Sequence, residues 1–431
     1  MRTSTGWERP RAVTVAAAAW LLIASSMLAW ADGWEETQAK LADRGITPAL
    51  VYGGAAFANL DGGLRRGSTY LGNLDLQLTL DGQRLADWPG ATVYLDALSI
   101  HGGRPSQFVG DAQGVSSIEA PAAFKLEEAW LQQNLFANQF SVLAGRYDLN
   151  SEFYRLHSAG LFLNSSFGVG PEFSQSGREG PSIFPFTSLG ARFALKPERG
   201  IVLRAAVLDG VPFERPDGTH AAFQRGDGLL FVSEAAFLER PAPEDRPLSR
   251  RFRIGRSAML PPYDAKLALG GWYYTATFDD LSGVDANGRP VQHRGSGGFY
   301  LLADGVLFRD LGRPGRRLAA FTELGFGDPR VNRFGSYAGA GLVASGLVSS
   351  RQSDELGLAV AIARNGAHFI ALQEQQGAPV RNSEATIELT YSMQFAKWLA
   401  VQPDLQYVID PNTDPSLRNA LAFQLRFEAT F

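Results

Sequence analysis

Hydrophobic and polar residues take turns along much of this chain. The clearest early run is Tyr70–Asp81, where Leu74, Leu76, Leu78 and Leu80 alternate with Asn73, Asp75, Gln77, Thr79 and Asp81. A period of two assigns the two sets to opposite faces of a strand. The last segment, Ala420–Phe431, repeats it: Leu421, Phe423, Leu425, Phe427, Ala429 and Phe431 face one way, and Ala422, Gln424, Arg426, Glu428 and Thr430 the other. That pattern pins the register, because a one-residue slip would put Arg426 into lipid at roughly 2–4 kcal/mol near the midplane.

Further strands are predicted at Val51–Ala58, Ala91–Ile100, Phe124–Leu135, Phe140–Leu149, Ser188–Leu195, Ile201–Leu208, Leu229–Leu238 and Lys266–Tyr274. The pattern continues through Phe299–Phe308, Leu318–Phe326, Ser336–Leu347, Glu355–Ala363, Glu384–Met393 and Trp398–Ile409. With the two above this gives about 16 strands, an even number of the kind transmembrane barrels use. Short turn signals stand at Asp87-Trp88-Pro89-Gly90, Asn138, Pro197-Glu198-Arg199-Gly200, Arg313-Pro314-Gly315 and Ala396-Lys397, and the connections between them are longer and rich in Gly, Ser and Pro. Short turns at one end and long loops at the other are the habit of an outer-membrane barrel. Glu239–Pro262 breaks the alternation: it should be short, yet it is long and rich in arginine and proline, which leaves the register of the strands beside it open.

Composition changes the picture by placing the sheet in a membrane. Mean hydropathy is −0.10 with 45% hydrophobic and 19% charged residues. A polytopic helical protein would need about 20 mostly apolar residues per span, whereas strands with one wet face do not raise the average. In hydrocarbon the sheet must close, since each bare backbone group costs several kcal/mol. At about 16 strands the circle is too wide for side chains to fill, and a wet lumen remains. A soluble β-sandwich is the competing fold, but it does not pair so many strands with this alternation of connection lengths.

The N-terminus carries Arg2, Arg9 and Arg11, an apolar run Ala12–Leu28 and the small-x-small triplet Ala29-Trp30-Ala31. We read 1–31 as an export signal cleaved after Ala31, against an uncleaved anchor that N-terminal sequencing would reveal. Residues 32–47 are polar with Trp34, Ala39 and Leu41 at helical spacing and read as a periplasmic helix or arm, leaving 48–431 as the barrel. Cysteine is absent, which excludes disulfides, thiolate metal sites and cysteine nucleophiles. Net charge is −4 and no basic stripe is interleaved with aromatics, so nucleic acid is not the partner.

The stretch NSSFGVGPEFSQSGREGPSIFPFTSLG (Asn164–Gly190), preceded by LAGRYDLNSEFY (Leu143–Tyr154) and GDAQGVSSIEAP (Gly110–Pro121) and followed by LDGVP (Leu208–Pro212), resembles the carbohydrate-selective porin (OprB-type) family. The resemblance implies an all-β, 16-stranded barrel in the outer membrane of a Gram-negative bacterium, passing small carbohydrates to the periplasm through a pore narrowed by an inward loop. The residues themselves locate such a loop. Asn150–Phe186 is the longest connection and holds Phe153, Phe162, Phe167, Phe173 and Phe184, rings that would form an exposed apolar patch if the loop stood in water. Phe431 closing an aromatic-rich strand resembles the signal by which the barrel-assembly machinery recognises its clients; outer-membrane lipids cover the outer face. Whether the barrels associate is not written in this pattern.

Sugars are selected by charged or amide groups on hydroxyls, at about 1.5–3 kcal/mol per well-formed bond to a charged partner, and by aromatic rings on C–H faces. The candidates are Arg146 and Asp148 on one strand face, taken as lumenal because Leu143, Tyr147 and Leu149 occupy the other; Glu128 and Arg192 on adjacent strands; Asp75, Gln77 and Glu234; and Glu172, Gln175 and Arg178 on the loop. Each has a plainer reading as a wall residue or loop anchor, which is the stronger rival for Glu172 and Arg178. Trp272 would stack on sugar or sit in an interfacial belt. Gly168-Val169-Gly170 lacks a third glycine and a following helix, and His101, His157, His220, His293 and His368 lack ligand spacing, so no cofactor or metal is expected. Three other functions compete. A barrel hydrolase would need a nucleophile with a base, and no serine lies in such a motif. A general channel or an acidic-polysaccharide exporter would differ in its lumen, the exporter needing a strongly basic one. A plugged structural barrel would conduct nothing.

Overall fold

The computed structural model describes residues 34, 36–212, 222–240, 263–313, 315–348 and 350–431. Sixteen antiparallel strands close into one barrel: β1 (Ile46–Gly63), β2 (Gly67–Asp81), β3 (Ala91–Gly102), β4 (Ala123–Leu135), β5 (Phe140–Tyr147), β6 (Ser188–Leu195), β7 (Ile201–Asp209) and β8 (Leu229–Glu239), followed by β9 (Ala265–Val284), β10 (Pro290–Arg309), β11 (Arg317–Gly327), β12 (Phe334–Ser345), β13 (Glu355–Asn365), β14 (Ser383–Ala396), β15 (Leu399–Ile409) and β16 (Arg418–Thr430). Each pairs with its sequence neighbours, and β1 pairs with β16, so the sheet has no edge. Among the described residues no helix is long and apolar enough to cross a membrane. The strands do the crossing, with every ladder hydrogen bond made inside the sheet.

The period of two survives in the burial pattern. Along β8, Leu230, Val232, Glu234, Ala236 and Leu238 face the interior while Phe231, Ser233, Ala235 and Phe237 face out. In β16 Gln424 and Arg426 are buried and Phe423 and Leu425 exposed, as the alternation requires. The chain end completes the closure: Phe431 exchanges backbone hydrogen bonds with Leu50 of β1 (2.8 and 2.9 Å), and its ring stacks on Trp398 at 5.6 Å.

Several boundaries differ from the sequence reading. The barrel starts at Ile46 rather than Pro48, behind a helical segment at 36–43. β5 ends at Tyr147, and Asp148 and Leu149 already belong to the following connection. The connections 64–66 and 285–289, at the end opposite the short turns, are themselves short. There the strands supply the height: β9 and β10 run 20 residues each, a hairpin arm instead of a loop. The helix Ala367–Gln375 leans on that arm. His368 Nδ1 and His293 Nε2 meet Asp280 at 2.8 and 2.7 Å, a convergence of two histidines that spacing along the chain concealed. Beside the irregular Glu239–Pro262 stretch, most of which lies outside the described residues along with the whole of 1–31, β8 and β9 pair in unbroken register from Leu230–Tyr274 to Glu239–Ala265.

Candidate functional site

The lumen is lined by the inward positions of the sixteen strands, and two connections at the loop end bond to residues at those positions. The longer is 148–187. Its Phe153, Phe162, Phe167 and Phe173 are buried, and Phe184 is half-buried. They pack on the wall and on one another: Phe162 against Phe167 (5.0 Å) and Phe321 (5.5 Å), and Phe173 flat on Trp272 (5.1 Å, 8° between planes). Trp272 therefore belongs neither to an interfacial belt nor to an open stacking platform; it faces inward and its ring is used by the loop. Tyr273, the next residue, takes the outer face.

Carboxylates on the wall hold the backbone of this loop. The N–H of Tyr154 donates to Glu234 of β8 (3.0 Å), Ser158 donates through N–H and hydroxyl to Asp304 of β10 (3.0 and 2.6 Å), and the N–H groups of Leu163 and Asn164 donate to the two oxygens of Glu388 of β14 (2.5 and 3.0 Å). A bare loop N–H inside the barrel would be costly, and each of these finds a side-chain acceptor on the wall. A second connection, 103–122, is held the same way, which the sequence reading missed. Ala112 and Gln113 donate backbone N–H groups to Glu384 (2.8 and 2.9 Å), and the Val115 carbonyl accepts from Gln406 and Gln424 (2.9 Å each). The signal lay in Val109, Val115 and Ile118, apolar residues of that loop that cluster with Phe57 and Leu71.

Against this frame the predicted residues separate. Glu128 accepts from the Trp130 indole and the Asp148 N–H (3.1 Å each), and Asp148 accepts from the Asn150 N–H at the start of the loop (2.8 Å), so both secure its entry. Arg146 is buried, and so are Leu143 and Tyr147. Leu143 and Tyr147 lie opposite Arg192 and Ser188 in the ladder, while Arg146 pairs with Leu189 and donates its Nε to Thr187 (2.7 Å). The placing of Leu143 and Tyr147 on the lipid side failed because a hydrophobic face was equated with lipid, whereas here the inward face is apolar where the loop packs on it.

Arg192 and Glu234 belong to one charged cluster. Arg192 Nε lies 2.6 Å from Glu152 Oε2, an ion pair by distance whose N–H is not aimed along a hydrogen bond, and Arg192 also donates to Gln132 (2.6 Å). Glu234 accepts from Lys266 (3.1 Å) and Tyr300 (3.0 Å) and faces Arg204 at 3.5 Å. Arg204 was absent from the sequence candidates, although its parity between outward Leu203 and Ala205 marked it as lumenal. Burial alone would raise the Glu152 carboxyl, but Arg192 and then Arg204 more than offset it and hold the group below the ordinary carboxylate range. Glu172 is buried on the short helix Pro171–Ser174, with Tyr154 donating to it (3.0 Å); burial pushes it up to about 7. Gln175 and Arg178 are exposed on the loop, bonded to the carbonyls of Ala112 (2.7 Å) and Thr277 (3.3 Å). Asp75 and Gln77 face inward from β2, Gln77 only half-buried.

Such a wall is oily outside and polar within. Residues 65–431 match the family described as carbohydrate-selective porin, OprB family. Porin B of Pseudomonas aeruginosa is 24% identical over 434 residues, spanning 92% of this chain and 90% of that protein. Among solved structures, the high-pH form of Pseudomonas putida OprB superposes with a TM-score of 0.77 at 22% identity, covering 92% of this chain and 97% of that one. The low-pH form of the same protein gives 0.58 at 20% identity, over 92% and 96%. The outer-membrane channel DcaP of Acinetobacter baumannii gives 0.51 at 9%, over 90% and 97%. The chain thus belongs to the carbohydrate-selective porin, OprB family, sugar channels of the Gram-negative outer membrane.

Proposed function

We propose that small carbohydrates diffuse passively through this barrel into the periplasm, past a constriction made by the loop 148–187. The supporting observation is that loop's attachment to inward residues of β8, β10 and β14, namely Glu234, Asp304 and Glu388. In this reading Glu128, Asp148, Glu172 and Glu234 hold the loop, and Arg192 braces it through Glu152. Arg204 faces Glu234, and solute hydroxyls then meet the groups left more open, Gln77, Gln175 and Arg178, weakly enough for conduction. Asp75 and Arg146 shape the wall beside them. The wall carries Asp75, Asp96, Glu234, Asp304, Glu388 and Asp404 against few cations, which suits a neutral sugar and disfavours the acidic polysaccharide of the competing reading. A leader cleaved after Ala31 and assembly guided by the strand ending in Phe431 complete the proposal.

Planar-bilayer conductance of the purified full-length protein tests it. A large, steady conductance partly blocked by mono- and disaccharides is expected. No conductance rejects the channel, and indifference to every sugar rejects the selectivity.

A further inference from the structure

Glu172 does not sit against the wall as the other anchors do. Its carboxyl lies directly over Gly325 of β11, so closely that a Cβ on that glycine would stand 1.8 Å from Oε1. In the ladder Gly325 is flanked by Tyr300 of β10 and Tyr337 of β12, and with Tyr154 these phenols ring the niche. Two residues along the same inward face of β11 is Glu323, also fully buried, with Tyr337 3.4 Å from its Oε2. One oxygen of each carboxyl, Oε2 of Glu172 and Oε1 of Glu323, has no hydrogen-bond partner. The charged and titratable groups facing the pair are Tyr154 from the loop, Tyr337 from β12, Tyr300 from β10 and, behind Glu323, Asp304; among the described residues none is a cation. Two carboxylates do not both stay ionised in such a place, because each loses water and stands near a like charge, and one phenol hydroxyl on each offsets that only in part.

We propose that the buried Glu172 and Glu323 carboxyls form a proton-operated latch that docks the inward loop on β11 while the pair holds a proton and loosens it when both carboxyls are ionised. The proposal rests on the reading of 148–187 as the constriction loop and adds its regulation. The sign follows from comparing docked and released states. Docked, Glu172 keeps its proton up to about 7; released into water it would lose it in the ordinary carboxylate range. Docking is therefore favoured in acid, weakens as pH rises from that range to about 7, and is weakest above it.

The test is amide hydrogen exchange across 150–176 in the full-length protein reconstituted in lipid, at pH 5 and pH 8, with conductance recorded on the same preparations. After correction for intrinsic rates, wild-type exchange is expected to be about tenfold or more faster at pH 8. In Glu172→Gln the ratio should collapse toward one, and Glu323→Gln, a change on the wall instead of the loop, should do the same. A pH-independent wild type, or a ratio unchanged in both variants, overturns the latch. So does a ratio abolished by added calcium in the wild type, which would make the pair a cation bridge. Missing conductance at both pH values would reject the channel reading, while the exchange ratio would still judge the latch.

Discussion

Glu152 and Glu172 lie on the same loop, and the barrel compensates them by opposite means. Glu152 faces Arg192 and Arg204, which hold it ionised; Glu172 is buried with no cation beside it, and that burial favours its proton although the Tyr154 hydroxyl works the other way. One flank of the loop is thus fixed by ion pairs with β6 and β7, and the other is fixed on β11 without a cation. The contrast shows that polar wall residues of a wide barrel are spent first on ordering what enters the lumen. Burying an ion demands a partner, and the partner can be an arginine or a proton.

The largest break in that comparison should come from the ion-paired flank. Glu234→Ala leaves Lys266 and Arg204 facing each other and frees the Tyr154 N–H, a type of loss that costs about 3–5 kcal/mol. A lower urea midpoint for unfolding from lipid vesicles checks it; an unchanged midpoint would mean that Glu152 alone suffices for both cations. Next is Gly325→Ala on the other flank, where the added methyl collides with the Glu172 carboxyl. Overpacking of this kind costs about 1–3 kcal/mol, and faster proteolytic nicking near Pro171–Ser174, with the barrel intact, is the expected readout. The smallest effect sharpens the contrast in pH. Because Glu152 sits below its ordinary value, its stabilisation is present above that value and lost as pH falls through it. Glu152→Gln should therefore lower the melting temperature at pH 7, yet lose less than the wild type between pH 6 and pH 3.

Much of this was legible in the residues. All sixteen strands announced themselves, because lipid on one side and water on the other enforce a period of two wherever the chain crosses, as in Leu74–Asp75–Leu76–Gln77. The need to cover the rings of 148–187 was legible too, and Phe153, Phe162, Phe167 and Phe173 are buried. The failures share one cause. Leu143 and Tyr147 are hydrophobic and so read as facing lipid, and Trp272 as stacking on sugar or lying in a belt, yet each is buried inside, Trp272 against the loop's Phe173. Once a loop packs against the wall, part of the lumen becomes an ordinary protein core, and hydrophobicity no longer tells inside from outside.

By itself, then, the sequence determined the barrel, its strand count and the faces of most strands, since these follow from local alternation and the cost of bare backbone in oil. Only the tertiary structure decided what the inward polar groups do. Glu388 and Leu163, or Glu172 and Gly325, are far apart along the chain, and their meeting depends on closure of the sheet and the path of the loop inside it. No periodicity records such a meeting, because the loop's bonds are made to whichever wall residues the closed circle brings within reach.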